Sequence, residues 1–202
     1  MRAEDTILEQ LVAMSNRLGD PACDYAILGE GNTSARADAE TFWVKASGAE
    51  LRTMQAGDCV RMRFDRVLEL LDAGDLDDAA LKARLDEAKV DPTVSVRPSV
   101  ETVLHALALQ LEGVHFVGHT HPTAVNAFLC STRAEEAVAG RLFPDEIVYC
   151  GPASIYVPFT PPGLPLARAV REHIRRYRDA YGENPKVILM QNHGLIALGA
   201  TA

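Results

Sequence analysis

The stretch Val114-His115-Phe116-Val117-Gly118-His119-Thr120-His121 has the pattern of a β-strand. Side chains on a strand alternate between its two faces, so His119 and His121 are expected to project from the same face. Two imidazoles placed in this way can bind one metal ion. The stretch therefore predicts a strand that carries half of a metal site.

His193 is the natural third ligand for such a site. A catalytic zinc site keeps three protein ligands and leaves one position open, whereas a structural site closes with four. His193 follows the apolar run Val187–Met190 and precedes Gly194, so we expect it at a strand end where the glycine lets the backbone turn. Its position predicts an open site.

The other three histidines lack this support. A lone histidine is more often a satisfied core or surface residue than a ligand. His105 lies in a helical pattern, His115 could share the strand face of His119, and His173 lies in a charged stretch. We interpret these three as structural.

Glu101 is predicted in the first turn of a helix. Pro98 disfavours the helical conformation for Arg97, and Ser99 is a plausible N-cap for the apolar stripe that follows. The carboxylate could simply complement the helix dipole. Beside a divalent cation it could instead be a general base, because the metal stabilises the enediolate formed when a proton next to a carbonyl is removed.

Two polar loops indicate what is bound. The segment Gly29–Ser34 is rich in glycine, so its backbone N–H groups can approach an anion, and Asn32 and Ser34 add side-chain donors. Ser47 and Gly48 follow a predicted strand and would form a second wall. The residues alone favour an ordinary turn for each loop.

Helical and strand patterns alternate along the chain. Helices are predicted at Thr6–Leu18, Asp65–Leu71, Asp77–Ala88, Ser99–Leu111, Thr123–Cys130 and Leu166–Tyr181. Strands are predicted at Ala26–Leu28, Ser34–Ala37, Thr41–Lys45, Cys59–Phe64, Val114–His121, Ile147–Cys150, Lys186–Met190 and Leu195–Leu198. Short turns between strands favour a mixed or antiparallel sheet between helical layers. The acidic stretch Asp65–Pro92 is interpreted as a surface helical insertion.

Composition excludes several classes of partner. The formal net charge of −8 argues against nucleic acid. The basic cluster at Arg168–Arg178 is interleaved with Glu172 and followed by Asp179, so we interpret it as a mixed, solvated helix face.

No apolar stretch is as long as a membrane span, and the first residues do not resemble a signal peptide. We therefore expect a cytoplasmic protein without a membrane partner. The four cysteines show no paired spacing, which predicts free buried thiols.

Five motifs resemble, in chain order, those of the class II aldolase/adducin family. They are Gly31-Asn32-Thr33-Ser34-Ala35-Arg36, Lys45-Ala46-Ser47-Gly48, Pro98-Ser99-Val100-Glu101, His119-Thr120-His121-Pro122 and Gln191-Asn192-His193-Gly194-Leu195. The resemblance spans roughly residues 7 to 200. Members of the family include fuculose and rhamnulose phosphate aldolases, an epimerase, a dehydratase, some decarboxylases and the metal-free adducin head. The resemblance implies a three-layer α/β/α sandwich with a mixed, largely antiparallel sheet.

The resemblance also implies roles for the candidate residues. His119, His121 and His193 would bind zinc or another divalent ion such as manganese, and Glu101 would be the acid/base residue. The epimerases carry aspartate at the position of Glu101, which favours aldolase or dehydratase chemistry here. The adducin head lacks the metal ligands, which favours an enzyme over an interaction module.

The family's phosphate site is matched in part. In the phosphate-using aldolases, the positions of Asn32, Ser47, Gly48, Ser99 and Val100 hold the phosphate. This chain departs from them at Val100, where those enzymes have a second serine. Lys45 is interpreted either as a replacement anion ligand or as a solvated strand lysine. The expected partner is a small molecule, either a sugar phosphate or an unphosphorylated hydroxyketone.

Relatives of the aldolase type form homotetramers in which a neighbouring subunit supplies a general-acid tyrosine. Tyr149 is the most similar position, and Tyr156 is second. A structural tyrosine on a half-buried strand explains both positions equally well. We expect one domain over residues 1–202 that lacks some C-terminal family elements. Several segments look most like the aldolase domain of rhamnulose phosphate aldolase/dehydrogenase fusions, so the chain is either a short form or part of a longer protein.

The resulting hypothesis is a metal-dependent aldolase-type lyase. The alternatives are dehydration, epimerisation or decarboxylation on the same scaffold, and a non-catalytic adducin-like interaction module.

Overall fold

The computed structural model describes residues 3–27 and 29–202. The α-helices are α1 (Ala3–Leu18), α2 (Phe64–Leu68), α3 (Asp78–Glu87), α4 (Thr102–Leu109), α5 (Thr123–Leu129), α6 (Ala134–Val138), α7 (Pro144–Cys150) and α8 (Leu164–Tyr181). The strands are β1 (Asn32–Arg36), β2 (Thr41–Lys45), β3 (Cys59–Arg63), β4 (Phe116–Thr120), β5 (Ile155–Val157), β6 (Val187–Met190) and β7 (Gly194–Gly199). Short 3-10 segments lie at Leu51–Thr53, Ala56–Asp58 and Glu69–Asp72.

Over these described ranges, seven strands form one sheet in the order β3-β2-β1-β4-β7-β6-β5. Neighbouring strands pair antiparallel except for β5 and β6, which are parallel. The predicted mixed, largely antiparallel sheet is confirmed. Because β4 lies in the middle of the sheet, its side chains are buried on both faces.

Helices cover both faces of the sheet. On one face, α4 and α8 pack over a core that includes Val117 and Ile188. On the other face, α1 packs Leu11 against Ala35 and Phe116. Burying each large apolar side chain stabilises the fold by about 1.5–3 kcal/mol. The predicted three-layer α/β/α sandwich is confirmed.

The predicted strand at Ile147–Cys150 is wrong, because these residues belong to helix α7. Pro144 occupies the first turn of this helix, where its missing N–H costs no hydrogen bond, and two acidic residues follow it near the positive end of the helix dipole. The predicted strand at Ala26–Leu28 is wrong at Ala26 and Ile27, which have irregular structure. Leu28 lies outside the described residues.

The insertion Asp65–Pro92 is helical, as predicted, but it does not lie only at the surface of the protein. Asp77 caps α3 by accepting a hydrogen bond from the backbone N–H of Ala80 (2.7 Å). Leu81 and Leu85 on α3 are buried in the core. The segment therefore contributes to the core and also places the exposed face of α3 beside the loops that follow β2 and precede α4.

The sequence prediction missed α6 and β5. Both are short, and β5 has only three residues. Among the described residues, no helix has the length and apolar character needed to span a membrane. The four cysteines are free, but Cys59 alone is buried, and burial raises the pKa of its thiol to about 12.

Candidate metal centre

Three imidazole rings meet at one point of the structure. The Nε2 atom of His119 lies 3.1 Å from Nε2 of His121 and 3.2 Å from Nε2 of His193. One ring nitrogen of each histidine lies within 4.8 Å of the other two. The structure thus brings together the three histidines that the sequence selected as metal ligands.

The hydrogen bonding of His119 leaves a lone pair facing the other two rings. Its Nδ1 lies 2.9 Å from the backbone carbonyl oxygen of Leu195, so Nδ1 carries the proton and donates it. Burial lowers the pKa of His119 to about 4, so the ring is neutral at pH 7. Its Nε2 is therefore an unprotonated ligand atom, oriented by the bond to Leu195 as in many metal sites.

The spacing of the rings fits a bound cation. Nitrogens on a tetrahedral zinc ion, each at 2.0–2.1 Å from the metal, lie about 3.3 Å apart. The separations of 3.1 and 3.2 Å around His119 are close to this value. His121 and His193 both direct Nε2 at the single lone pair of His119 Nε2, which can accept only one strong hydrogen bond. A divalent ion would satisfy all three nitrogens, so these residues fit a metal.

The sheet and one loop place His119 and His121. His119 lies in β4, directly opposite Asn32 of β1. The strand ends at Thr120, one residue earlier than predicted, so His121 is not a strand residue. Its backbone N–H donates to the carbonyl of Tyr25 (2.9 Å) instead of to a sheet neighbour. This bond, and not strand alternation, holds His121 beside His119.

His193 lies in the tight turn between β6 and β7. Asn192 adopts the left-handed conformation in this turn (φ 54°). Asn126 of α5 donates from Nδ2 to the carbonyl oxygen of His193 (3.0 Å). A side chain at Gly194 would meet the carbonyl oxygen of Thr120 at 2.5 Å and the His121 ring at 2.6 Å. The glycine is required for close approach of the rings, in addition to the turn.

Glu101 immediately precedes α4 and faces the histidines. Its Oε1 lies 3.2 Å from Nε2 of His193, and its Oε2 lies 3.7 Å from Nε2 of His119. Oε2 also accepts a hydrogen bond from Nδ2 of Asn32 (2.6 Å). Burial opposes ionisation, but the hydrogen bond from His193, the neighbouring His119 ring and the bond from Asn32 hold the pKa of Glu101 below its usual range. Glu101 is a carboxylate at neutral pH.

The chain matches a known protein family over nearly its whole length. Residues 9–202 match the family model of the Class II Aldolase and Adducin N-terminal domain. The chain belongs to this family. It is also 30% identical to a Bacillus subtilis (strain 168) protein named uncharacterized oxidoreductase YuxG, in a match that covers 96% of this chain and 27% of that protein. The chain therefore spans about a quarter of the length of this relative.

Solved structures agree with the family assignment. The N-terminal class II aldolase domain of a conserved protein from Thermoplasma acidophilum superposes with a TM-score of 0.75 at 26% identity, over 96% of this chain and 84% of that one. The l-fuculose-1-phosphate aldolase from Thermus thermophilus superposes with a TM-score of 0.63 at 17% identity, over 100% of this chain and 82% of that one. The second likeness shows the shared fold alone.

Within this class II aldolase/adducin fold, two predicted substrate-binding serines line one cleft. Ser47 and Ser99 border a cleft of about 620 Å³. The Ser47 N–H donates to the carbonyl oxygen of Arg97 (2.8 Å), which ties the loop after β2 to the segment before α4. Gly48 has φ 85°, a conformation suited to glycine. Ser99 accepts a hydrogen bond from the Glu101 N–H (3.2 Å), which links the cleft to the carboxylate.

Lys45 is neither an anion ligand nor a solvated lysine. Its side chain is buried, and its ammonium group donates to the backbone carbonyls of Ala46 (3.3 Å) and Ala49. Burial lowers its pKa. Lys45 braces the loop that presents Ser47.

Ser34 lies beneath the site instead of lining the cleft. It is fully buried, and its hydroxyl group is 2.7 Å from Nδ1 of His105. This bond leaves the hydroxyl no access to a substrate. Asn32, two residues earlier, points to the same face but bonds to Glu101 directly.

The structure does not bring Tyr149 to the histidines of its own chain. Tyr149 lies on α7 with 76% of its side chain exposed. Lys186, at the start of β6, donates to the carbonyl oxygen of Val148 (3.0 Å), whereas His193 follows the other end of β6. The second candidate, Tyr156, lies in β5 and lines a separate cleft with Gln191.

Sequence reasoning assigned no contact with the candidate metal ligands to two residues, Asn126 and Glu30; it treated Glu30 only as a negative charge that opposes a phosphorylated substrate. Asn126 holds the backbone of His193, and no motif marked it. Glu30 places Oε2 3.7 Å from Nδ1 of His121, which is an ion-pair contact longer than a hydrogen bond. Its position in the glycine-rich loop was the only available signal.

Removing one imidazole tests the ligand set. We expect the protein supplied with zinc or manganese to bind about one ion per chain, measured by elemental analysis. His119→Ala or His121→Ala should lose most of this metal, because two nitrogens and a water bind an ion far more weakly than three nitrogens.

His115→Ala is the matched control, because this histidine is exposed and lies just before β4. It should retain the metal. A wild-type protein that binds no ion when divalent metals are supplied would contradict the ligand assignment.

Proposed function

We propose that this chain is a divalent-metal-dependent lyase of the aldolase type, acting on a ketose, a sugar phosphate or a related hydroxyketone. The observation that carries the proposal is the convergence of His119, His121 and His193 with the carboxylate of Glu101 beside them. Three imidazole ligands leave an open position for a substrate oxygen, and the carboxylate is close enough to move a proton.

The three histidines would hold the ion. When bound there, a zinc or manganese ion supplies Lewis-acid polarisation of the substrate carbonyl and stabilises the enediolate. Glu101 takes the proton from the carbon next to that carbonyl, or returns it. Asn32 fixes the carboxylate by its 2.6 Å hydrogen bond. Because the pKa of Glu101 is held low, the base is in its ionised form throughout the neutral range.

The alternatives make different use of this site. A non-catalytic module has no need of three buried or half-buried imidazoles around one point, so the geometry supports an enzyme. Dehydration, epimerisation and decarboxylation could begin from the same enediolate or a related carbanion. Product analysis separates dehydration and epimerisation from aldol cleavage, since cleavage shortens the carbon chain and these two reactions preserve it.

A second copy of the chain would complete the site. Helix α7 and the residues before it expose five large apolar side chains: Leu142, Phe143, Ile147, Val148 and Tyr149. This apolar α7 patch is suited to burial against another subunit. A homotetramer, as in the aldolase relatives, would cover the patch and let Tyr149 serve as the general acid in a neighbouring subunit.

The cleft beside Ser47 and Ser99 supports an anionic substrate. Lys82 of the insertion and Arg97 line it, and within the described part of the chain neither side chain has an ion-pair or hydrogen-bond partner. Asp78, one helical turn before Lys82, also lines the cleft but forms no ion pair with it. Two unpaired cations and two hydroxyl groups suit a phosphate group, and they compensate for the missing serine at Val100.

Proton exchange tests the proposed chemistry directly. The metal-loaded protein in D2O should exchange the α-protons of hydroxyacetone, dihydroxyacetone or dihydroxyacetone phosphate, followed by proton NMR. Glu101→Gln should lower the exchange rate by about 10²- to 10⁴-fold, the usual contribution of a general base, and should keep its metal. Loss of metal in this variant would make Glu101 a ligand, and no exchange by the loaded wild type would contradict the lyase.

Assembly tests the role of the α7 patch. We expect a tetramer in sedimentation experiments. Val148→Glu should shift it toward monomers with metal retained, because it places a charge in the covered patch. Glu135→Gln, an exposed change on α6, is the control and should leave assembly unchanged. A strictly monomeric wild type would contradict the proposed interface and leave Tyr149 without a role.

Phosphate binding tests the cleft. Removing both cations by Lys82→Ala and Arg97→Ala should weaken inorganic phosphate binding by about 10- to 100-fold, the usual value of one or two charged hydrogen bonds, measured by calorimetry. Arg178→Ala, which removes an arginine from α8, is the control. Equal affinity in all variants would place the phosphate elsewhere, and binding of acetate in preference to phosphate would indicate a carboxylate substrate.

A further inference from the structure

A chain of buried hydrogen bonds leads from the interior to Glu101. Ser34 Oγ lies 2.7 Å from Nδ1 of His105, Nε2 of His105 contacts Oδ1 of Asn32, and Nδ2 of Asn32 lies 2.6 Å from Oε2 of Glu101. The His105 and Ser34 side chains are fully buried. The sequence pattern indicates only a structural histidine in a helix, and the proposed mechanism does not use it.

The donors and acceptors in this chain have one consistent order. A carboxylate only accepts hydrogen bonds, so the Asn32 amide must present its NH2 group to Glu101 and its oxygen to His105. That oxygen requires an N–H on Nε2 of His105. Burial lowers the pKa of His105 to about 3, so the ring is neutral and carries a single proton. Nδ1 is then an acceptor, and the Ser34 hydroxyl group donates to it.

We propose that His105 is a positioning residue for Glu101: its Nε2–H fixes the orientation of the Asn32 amide, and the amide holds the carboxylate toward the histidines. This inference rests on the proposed role of Glu101 as the base. If the amide turned over, its oxygen would face the carboxylate and its NH2 group would face the His105 N–H. Both contacts would be repulsive, so the carboxylate and the proton on Nε2 favour the same orientation, and the bond to His105 holds the amide in it from the other side.

The backbone explains why one ring can have this effect. Asn32 is paired with His119 across the β1–β4 ladder, so its Cα is fixed relative to a metal ligand. The remaining freedom is rotation of the amide. His105 lies on α4, one turn after Glu101, and its own N–H bonds to the Glu101 carbonyl (3.2 Å). The same helix turn therefore carries both the carboxylate and the group that orients it.

A core histidine with no such role would be a poor choice for this position. Burying a polar ring costs free energy unless both nitrogens are bonded, and an apolar side chain would avoid that cost. Here both nitrogens are bonded, and one bond leads to the reacting carboxylate. Such a polarised chain strengthens the last hydrogen bond.

Two substitutions separate positioning from packing. His105→Leu fills a similar volume without a donor, whereas His105→Gln can present an N–H to Asn32. We expect His105→Leu to keep its zinc but to lower the rate of α-proton exchange about 10- to 100-fold, the usual effect of a misplaced catalytic group. His105→Gln should restore most of that rate. Thr33→Val is the matched control, since it removes a buried hydroxyl bond to Ser15 (2.6 Å) on the other face of β1.

A second readout does not depend on turnover. In the nitrogen–proton spectrum, the side-chain amide of Asn32 should give two well-separated proton signals in the wild type, one of them shifted by the bond to Glu101. This hydrogen-bond shift should decrease in His105→Leu, return in His105→Gln and persist in Thr33→Val.

The outcomes are distinct. An unchanged Asn32 signal in His105→Leu, or equal loss of signal and zinc in both His105 variants, would overturn the proposal. If the wild type exchanges the α-protons of none of the ketones, the lyase assignment fails. The Asn32 signal still decides whether His105 orients the amide.

Discussion

The antiparallel pairing of β4 with β1 on one side and β7 on the other is the constraint on which the site depends. It places Asn32 opposite His119 and brings the start of β7, with His193 just before it, beside the end of β4. The carbonyl of Leu195 in β7 then orients the His119 ring. A register shift of one residue would turn His119 to the other face of the sheet and separate all of these groups. The hydrophobic core that fixes the register therefore fixes the chemistry too.

Burial gives this centre its electrostatic character. His119 is completely enclosed, so its ring is neutral and its lone pair is available. Glu101 is mostly buried as well, yet it remains ionised because several donors converge on its two oxygens. A carboxylate in such a setting is stable only while its partners stay in place. The bonds behind the site, from Asn32 and through it from His105, are thus part of its function as well as of the fold.

The convergence of the three histidines and Glu101 could be predicted from sequence because its signals were chemical: an His-X-His pair, a histidine at a glycine turn and a carboxylate at a helix start. Family membership followed from the same motifs. Prediction failed where a local signal was misread and where tertiary contacts decide. The apolar pattern of Ile147–Cys150 suits a strand, but Pro144 and the acidic residues after it begin a helix there. Ser34 has the composition of a binding loop, but alternation along β1 turns it inward toward His105. The buried ammonium of Lys45 and the contact of Asn126 with His193 join residues whose proximity no local pattern encodes.

Two sets of uncompensated side chains in the described part of the chain, one charged and one apolar, lie outside the buried centre. The histidines and Glu101 are held by the sheet and by α4, which are the elements common to the fold. Within the described residues, Lys82 and Arg97 have no protein partner and lie on the insertion and on the segment before α4. The apolar side chains of α7 are exposed at the other end of β6. A single chain leaves charge and apolar surface uncompensated at these two places, whereas Glu101 in the buried centre is held by hydrogen bonds from the protein. The proposed substrate and subunit contacts therefore have their physical basis outside the buried centre, and variation there would change what is bound without disturbing the proposed proton transfer.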